Sequence, residues 1–387
     1  MKFLPYNHLI AAAVTCLLTA ALLFLPDPPV MNKGNFTVCR AKVLDTDNQD
    51  VEQQGLLKFG SQKLEVEIIS GKHKGKKFQA NNQLRAQMEL DKEFKKGEII
   101  TLNIPRGDFS AETVLAARDH SRSFWIWMLG GIFCIFLICF GSWVGIKAVL
   151  SFVFSVAVIW KAVIPAILAG WAPEAVIAAA AALLTFAIIF LVAGFNKKGL
   201  AAFCGSMAGV LTGLLLSFLF TRLININGAV MPYCQALYYS GFDFLDLQRL
   251  FAGTLILGAS GAVMDLAMDI ASGIEEVARH KPDISRRELI LSGMRMGRSV
   301  VGTMTTTLLL AYSAGFLTLL MMFRVEGHPL TVLLDNPLVA SEAVKTLIGS
   351  FCLVLTAPFT ALISGHIFSL RKNSSSPKNF EIQTVTP

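Results

Sequence analysis

Charge is what this chain has little of: Asp, Glu, Lys and Arg make up 16% of 387 residues, while 54% are hydrophobic. One soluble globule of that length cannot cover its surface with so few charges, which excludes that class. Metal-binding patterns are missing too, since neither C-x-x-C nor H-E-x-x-H occurs. No cofactor is expected, and no metal is implied. No A-x-A box sits just before Pro26, so the apolar run 8–25 reads as a retained anchor, residues 1–26, rather than a cleaved leader. Of the cysteines, Cys134, Cys139, Cys204 and Cys352 fall in apolar runs and read as small hydrophobes. Cys39 and Cys234 are expected to face outward as free thiols, a disulfide between them being the alternative.

What is present is a series of apolar runs of membrane-crossing length, at 8–25, 124–142, 146–168, 174–194, 199–221, 250–272, 300–322 and 346–369. The expected fold is mainly α: a polytopic transmembrane helix bundle of about eight spans. A small β-rich extracytoplasmic domain, 27–122, follows the first span, and a disordered tail, 371–387, follows a membrane domain at 123–370. Lys147, Lys197 and Lys198, the arginines from Arg279 to Arg298, and Arg371 with Lys372 fall on one side of this topology. The positive-inside rule then places both termini in the cytoplasm. The same rule and anionic lipid account for the net charge of +7, so the bilayer is the expected partner and nucleic acid is not.

Residues 27–122 are polar and mixed in charge. TVCRAKVLDT, QKLEVEIIS, KKFQANNQL and GEIITLNIP are rich in alternating or β-branched residues, and GKHKGKK between two of them reads as a solvated hairpin turn. A small barrel or sandwich is expected.

The chemistry-bearing stretch is GASGAVMDLAMDIASG, 258–273, an apolar segment holding two carboxylates. A charge at a helix centre costs at least about 2.5–3.5 kcal/mol, so Asp265, near mid-span, is expected to face the bundle interior or bind something. Asp269, a turn nearer the cytoplasmic edge, has Arg295 or Arg298 as an easy partner. Gly258, Gly261, Ala262 and Ser272 share their face, which suits close approach of another helix. The candidate neighbour is SVVGTMTTTLLLAYSAG, where Ser299, Thr303, Thr306 and Ser313 recur at helical spacing, with Thr305, Thr307 and Tyr312 beside them. Ahead of it, PDISRRELILSGMRMGRS carries Ser285 and Glu288 as a capping box, and is expected to form a separate interfacial elbow helix. Pro165 and Pro358 are expected to kink their spans, and Lys161 to snorkel.

GAVMDLAMDIASGIEEV and PDISRRELILSGMRMGRSVVGTMTTTLLLAYSAG resemble the signature of the bacterial YibE/F membrane family. RDHSRSFW, FNKKGLAAF and NGAVMPYCQALYYSGF resemble it too. The resemblance implies a multi-pass bacterial plasma-membrane protein, with permease as the usual functional guess.

The leading expectation is a transporter or permease component moving a small solute or ion. Its ion or proton site centres on Asp265, supported by Asp269, Thr303, Thr306 and Ser299. The alternative is a non-transporting assembly or sensory protein whose outside domain binds an envelope partner. A remote third reading, intramembrane serine proteolysis, draws on Ser260 in GASG and on His366. It fails on depth, because the two residues differ by roughly 13 Å across the membrane and a serine base must lie within about 3 Å. No catalytic residue is therefore expected.

Overall fold

Alternation becomes strands where the sequence shows it. The computed structural model describes residues 6–24, 36–88, 91–106 and 113–369; the expected disordered tail, with Arg371 and Lys372, lies outside the described residues. The chain divides into two compact units, Asp27–Phe136 and the rest.

The first unit holds β1 (Phe36–Asp47), β2 (Val51–Gln54), β3 (Leu57–Ile68), β4 (Lys77–Arg85), β5 (Ile99–Pro105) and β6 (Leu115–His120). β1 pairs with β5 through its first half and with β3 through its second, closing the cycle β1-β3-β4-β6-β5-β1. With β2 set aside as a short strand on β3, the order is 1-2-3-5-4-1 and only β4 and β6 run parallel. That is the Greek-key barrel of OB type. Every second side chain points inward, so Ala41, Val43, Leu64, Val66, Ile68, Ile100 and Leu102 fill the interior. The GKHKGKK segment forms the β3–β4 turn, as expected.

One end of the barrel is plugged by the segment before β5, from which fully buried Phe94 enters the core. Two buried amides hold it. Gln62 Nε2 donates to Phe94 O at 2.8 Å and to Asn48 Oδ1 at 2.9 Å, while Gln62 Oε1 accepts from Phe94 N at 3.0 Å. Asn82 Nδ2 donates to Gln62 Oε1 at 3.0 Å and to Lys92 O at 2.5 Å. Gly60 sits at φ +113°, where a Cβ would run into Asp50 O, so glycine is required there. Cys39 is buried in this core and Cys234 in the other unit, both as free thiols. The expectation that they face outward is corrected, and burial pushes both thiols up.

The helices are α1 (Tyr6–Phe24), α2 (Ser123–Gly141), α3 (Trp143–Val158), α4 (Ile164–Leu168), α5 (Pro173–Ala193), α6 (Lys197–Leu223), α7 (Cys234–Tyr239), α8 (Leu247–His280), α9 (Arg286–Ala314), α10 (Leu317–Glu326), α11 (Leu330–Asp335) and α12 (Pro337–Ser369). Among the described residues, six spans are long and apolar enough to cross a membrane, or seven if α9 and α10, bent by 67°, count as one. The expected eight are not all shown, the apolar stretch Ile10–Phe24 being shorter than a full crossing among the described residues. A π-helical turn, Ile159–Val163, joins α3 to α4 just before Pro165, which is how this helix absorbs the proline's missing donor. Lys147, counted among the charges on the cytoplasmic side, is buried near the start of α3.

The expected elbow helix and seventh span are one continuous helix. Ser285 and Glu288 form the capping box, but nothing between Gly293 and Gly302 breaks the hydrogen-bond ladder. The break comes later, at Gly315 and Phe316.

α8 is the central helix, packed against α5, α6, α9 and α12. α6 and α12 approach closely. Gly205, Gly209 and Gly213 lie on one face of α6, and a Cβ on each would collide with Thr360, Thr356 and Cys352 of α12 in turn. Such a glycine stripe lets two backbones meet, and places the Thr360 hydroxyl against the Gly205 backbone.

Gly209→Leu should overpack this seam and cost about 1–3 kcal/mol, read as a lower melting temperature in detergent with helix content retained. Gln62→Ala should orphan the Phe94 amide and cost about 1–3 kcal/mol, read as proteolytic cleavage near residues 91–98 in the intact protein.

Candidate functional site

α8 runs for 34 residues and is N-capped by Asp246, whose carboxylate accepts from Arg249 N at 3.0 Å. Its midpoint falls between Val263 and Met264, so Asp265 lies within two residues of the centre and Asp269 about 8 Å from it. The buried side of the helix is Val263, Leu266, Ala267 and Ile270. Asp265 and Asp269 are on the opposite side, exposed, in line with exposed Gly258 and Gly261. Asp265 therefore does not face the interior of the single chain. Apolar side chains of α8 fill the interior, and both carboxylates are on its exposed side among the described residues.

Neither carboxylate has a hydrogen-bond or ion-pair partner among the described residues. The expected pairing of Asp269 with Arg295 or Arg298 is not made; Arg295 Nε donates to Leu291 O at 3.4 Å within its own helix.

The structure does bring α9 beside α8. Gly273 faces Met296, and Gly258 faces Tyr312, which sets an antiparallel register with Asp265 level with Met304 and Thr305. Thr303 and Thr306 thus lie within one turn of Asp265's level, and Ser299 is level with Asp269. Their faces differ from the packed one. Val300, Met304 and Leu308 pack toward the core, while Ser299, Thr303 and Thr306 are exposed. Thr303 Oγ1 donates to Val300 O at 2.9 Å and Thr306 Oγ1 to Gly302 O at 3.0 Å, leaving their lone pairs free to accept. Thr305 Oγ1 is buried without a partner. No side chain stands within 4 Å of where a Cβ on Gly261 or Gly302 would be, so both glycines face open space.

Two carboxylates and a few hydroxyls can take up a proton. They fall short of the six to eight oxygens of a calcium site. No group of three or more His, Cys, Asp or Glu that could hold a metal exists among the described residues.

Ser260 and His366 are not brought together. Ser260 Oγ donates to Leu257 O at 2.8 Å in a buried position, while His366 is exposed. α6 packs both Ala252, through Ser217, and Cys352, through Gly213, so α8 and α12 run parallel with Ser260 level with Thr356. His366 lies ten residues farther along, about 15 Å.

Several polar groups escape the sequence reading. Glu342 and Lys345 form an ion pair on α12, with side chains 12% and 24% exposed, and Lys345 sits 5.5 Å over the Phe251 ring. Their i,i+3 spacing was the available signal, but it lies before the expected start of that span. Arg249 of α8 reaches Glu174 of α5 at 3.0 Å. Fully buried Thr185, Ser206, Thr360 and Ser364 carry hydroxyls without partners. Only the Gly205, Gly209, Gly213 repeat announces the surface to which Thr360 belongs.

Against known proteins, the family model described as YibE/F-like protein matches residues 129–370. The model described as YibE/F family N-terminal domain matches 35–114. Neither a curated protein nor a solved structure matches the chain significantly.

If the face is arranged in this way, cysteines placed at 265 and 269 should react with a small maleimide in detergent above the background of the parent protein. Cysteines at 266 and 270 should stay unlabelled until the protein is denatured.

Proposed function

The chain belongs to the YibE/F family of membrane proteins, and from that premise we propose that it is a transport component in which Asp265 exchanges a proton. The observation that carries this is a carboxylate without a partner, within two residues of the centre of an apolar helix. Lipid cannot be its neighbour cheaply, because a charge at that depth costs at least about 2.5–3.5 kcal/mol. Water on this exposed face would relieve the cost and also deliver the proton. Asp269, a turn away, is the next acceptor along the same face, and Thr303, Thr306 and Ser299 offer hydroxyl lone pairs to ordered water. A proton needs no coordination shell, which suits a site with so few oxygens. The reading places both termini in the cytoplasm of a bacterial cell and assigns no catalytic residue.

A second reading, assembly with another membrane or envelope protein, is favoured by the same exposure, because a partner helix would also exclude lipid from the stripe.

In vesicles containing the purified protein and a trapped pH indicator, Asp265→Asn should reduce proton flux to the rate of empty vesicles. Asp283→Asn, in the turn between α8 and α9, should leave it unchanged. Equal flux in wild type and Asp265→Asn removes this carboxylate from the mechanism. Absent flux in wild type, together with a specific crosslink from position 265 to another protein, selects the assembly reading.

A further inference from the structure

A second polar site lies where α6 ends and α5 and α8 begin. A cavity of about 710 Å³ opens there, lined by Glu174, Thr221, Arg222, Asp246, Gln248 and Arg249 above Leu215, Phe218 and Leu219. The charges are partly spent on one another. Arg249 Nη1 binds Glu174 Oε1 at 3.0 Å, and Arg249 Nε binds Asp246 Oδ2 at 3.1 Å. Gln248 Nε2 donates to Ile226 O at 3.0 Å.

Three groups are left over. Glu174 Oε2 is buried with no partner. Thr221, 1% exposed, has a hydroxyl with no partner. Arg222 is exposed and makes no ion pair among the described residues, so its guanidinium does no more than offset the carbonyl end of α6. Each buried orphan oxygen has lost its water without gaining a partner, a cost that an occupant donating to it would recover.

The shape below supplies the rest. Leu215, Leu219 and Arg222 fall at i, i+4 and i+7, on one face of α6. Leu215 and Leu219 are 71% and 53% exposed, so an apolar strip about 10 Å long runs from the guanidinium toward the membrane interior. An anion beside Arg222, an N–H donor beside Glu174 Oε2 and Thr221 Oγ1, and an acyl chain on the leucines describe one molecule.

We propose that this cavity binds a phospholipid whose headgroup is a zwitterion of phosphodiester and primary ammonium, as in phosphatidylethanolamine. The phosphodiester pairs with Arg222, and the ammonium donates to Glu174 and Thr221. A quaternary ammonium has no N–H and would leave both oxygens orphaned, so phosphatidylcholine is discriminated against. The proposal is independent of the transport reading, because none of its residues belongs to the Asp265 face.

The test is thermal unfolding of the full-length protein in detergent, titrated with phosphatidylethanolamine, phosphatidylcholine or glycerophosphoethanolamine. Phosphatidylethanolamine should raise the melting temperature saturably and more than phosphatidylcholine does. Arg222→Gln should raise its half-saturating concentration about tenfold or more. Thr221→Val, which conserves shape, should shrink the difference between the two lipids without lowering the lipid-free melting temperature. An equal response to glycerophosphoethanolamine, which lacks acyl chains, keeps the headgroup chemistry and overturns the lipid as its source. Indistinguishable shifts with the two lipids, or a difference that survives both substitutions, overturns the proposal.

Discussion

Hydrocarbon tails are as apolar as leucine, so helices in a bilayer gain little by hiding side chains from lipid and must hold one another by contact. In this chain one such contact is the seam of α6 and α12, where Gly205, Gly209 and Gly213 receive Thr360, Thr356 and Cys352. Both helices then pack on α8, and the buried side of α8 is decided by them. What is left of α8 is the carboxylate stripe. The placement of Asp265 is in this sense a by-product of a glycine repeat on the neighbouring α6.

The β unit solves a different problem by a similar economy of space. A single aromatic ring, Phe94, closes one end of the small barrel. The ring stays there because Gln62 and Asn82 spend their amides on the backbone that carries it. A polar pair inside the barrel thus serves an apolar closure.

Much of this was readable in the sequence, and the failures have physical causes. The segments that alternate became β1, β3, β4 and β5, whereas β2 and β6 were invisible: VEQQ is short, and LAARDH owes its place to pairing with β5 rather than to any pattern of its own. Arg295 and Arg298 suggested an interface and a break, but charge does not end a helix, and only the cap at Ser285 and the glycine at 315 do. Hydropathy began α12 nine residues late because Glu342 and Lys345 neutralise each other in the fold while counting against the span one by one. Depth along α8 could be counted from the sequence. Facing could not, since it depends on which helices are neighbours. The small-residue argument was sound in kind and belonged to α6 rather than to α8.

At 34 residues α8 is about 51 Å long, against a hydrocarbon core of about 30 Å, and it contains no proline. It is a stiff rod with handles at both ends. Arg249 ties one end to Glu174 of α5, and Glu275 meets Lys198 of α6 at 3.6 Å near the other. Exposed pairs of this kind hold with about 0–1 kcal/mol each, so they are soft fastenings. Fastened near both ends and packed along its length, such a rod fixes the height of Asp265 relative to α5 and α6.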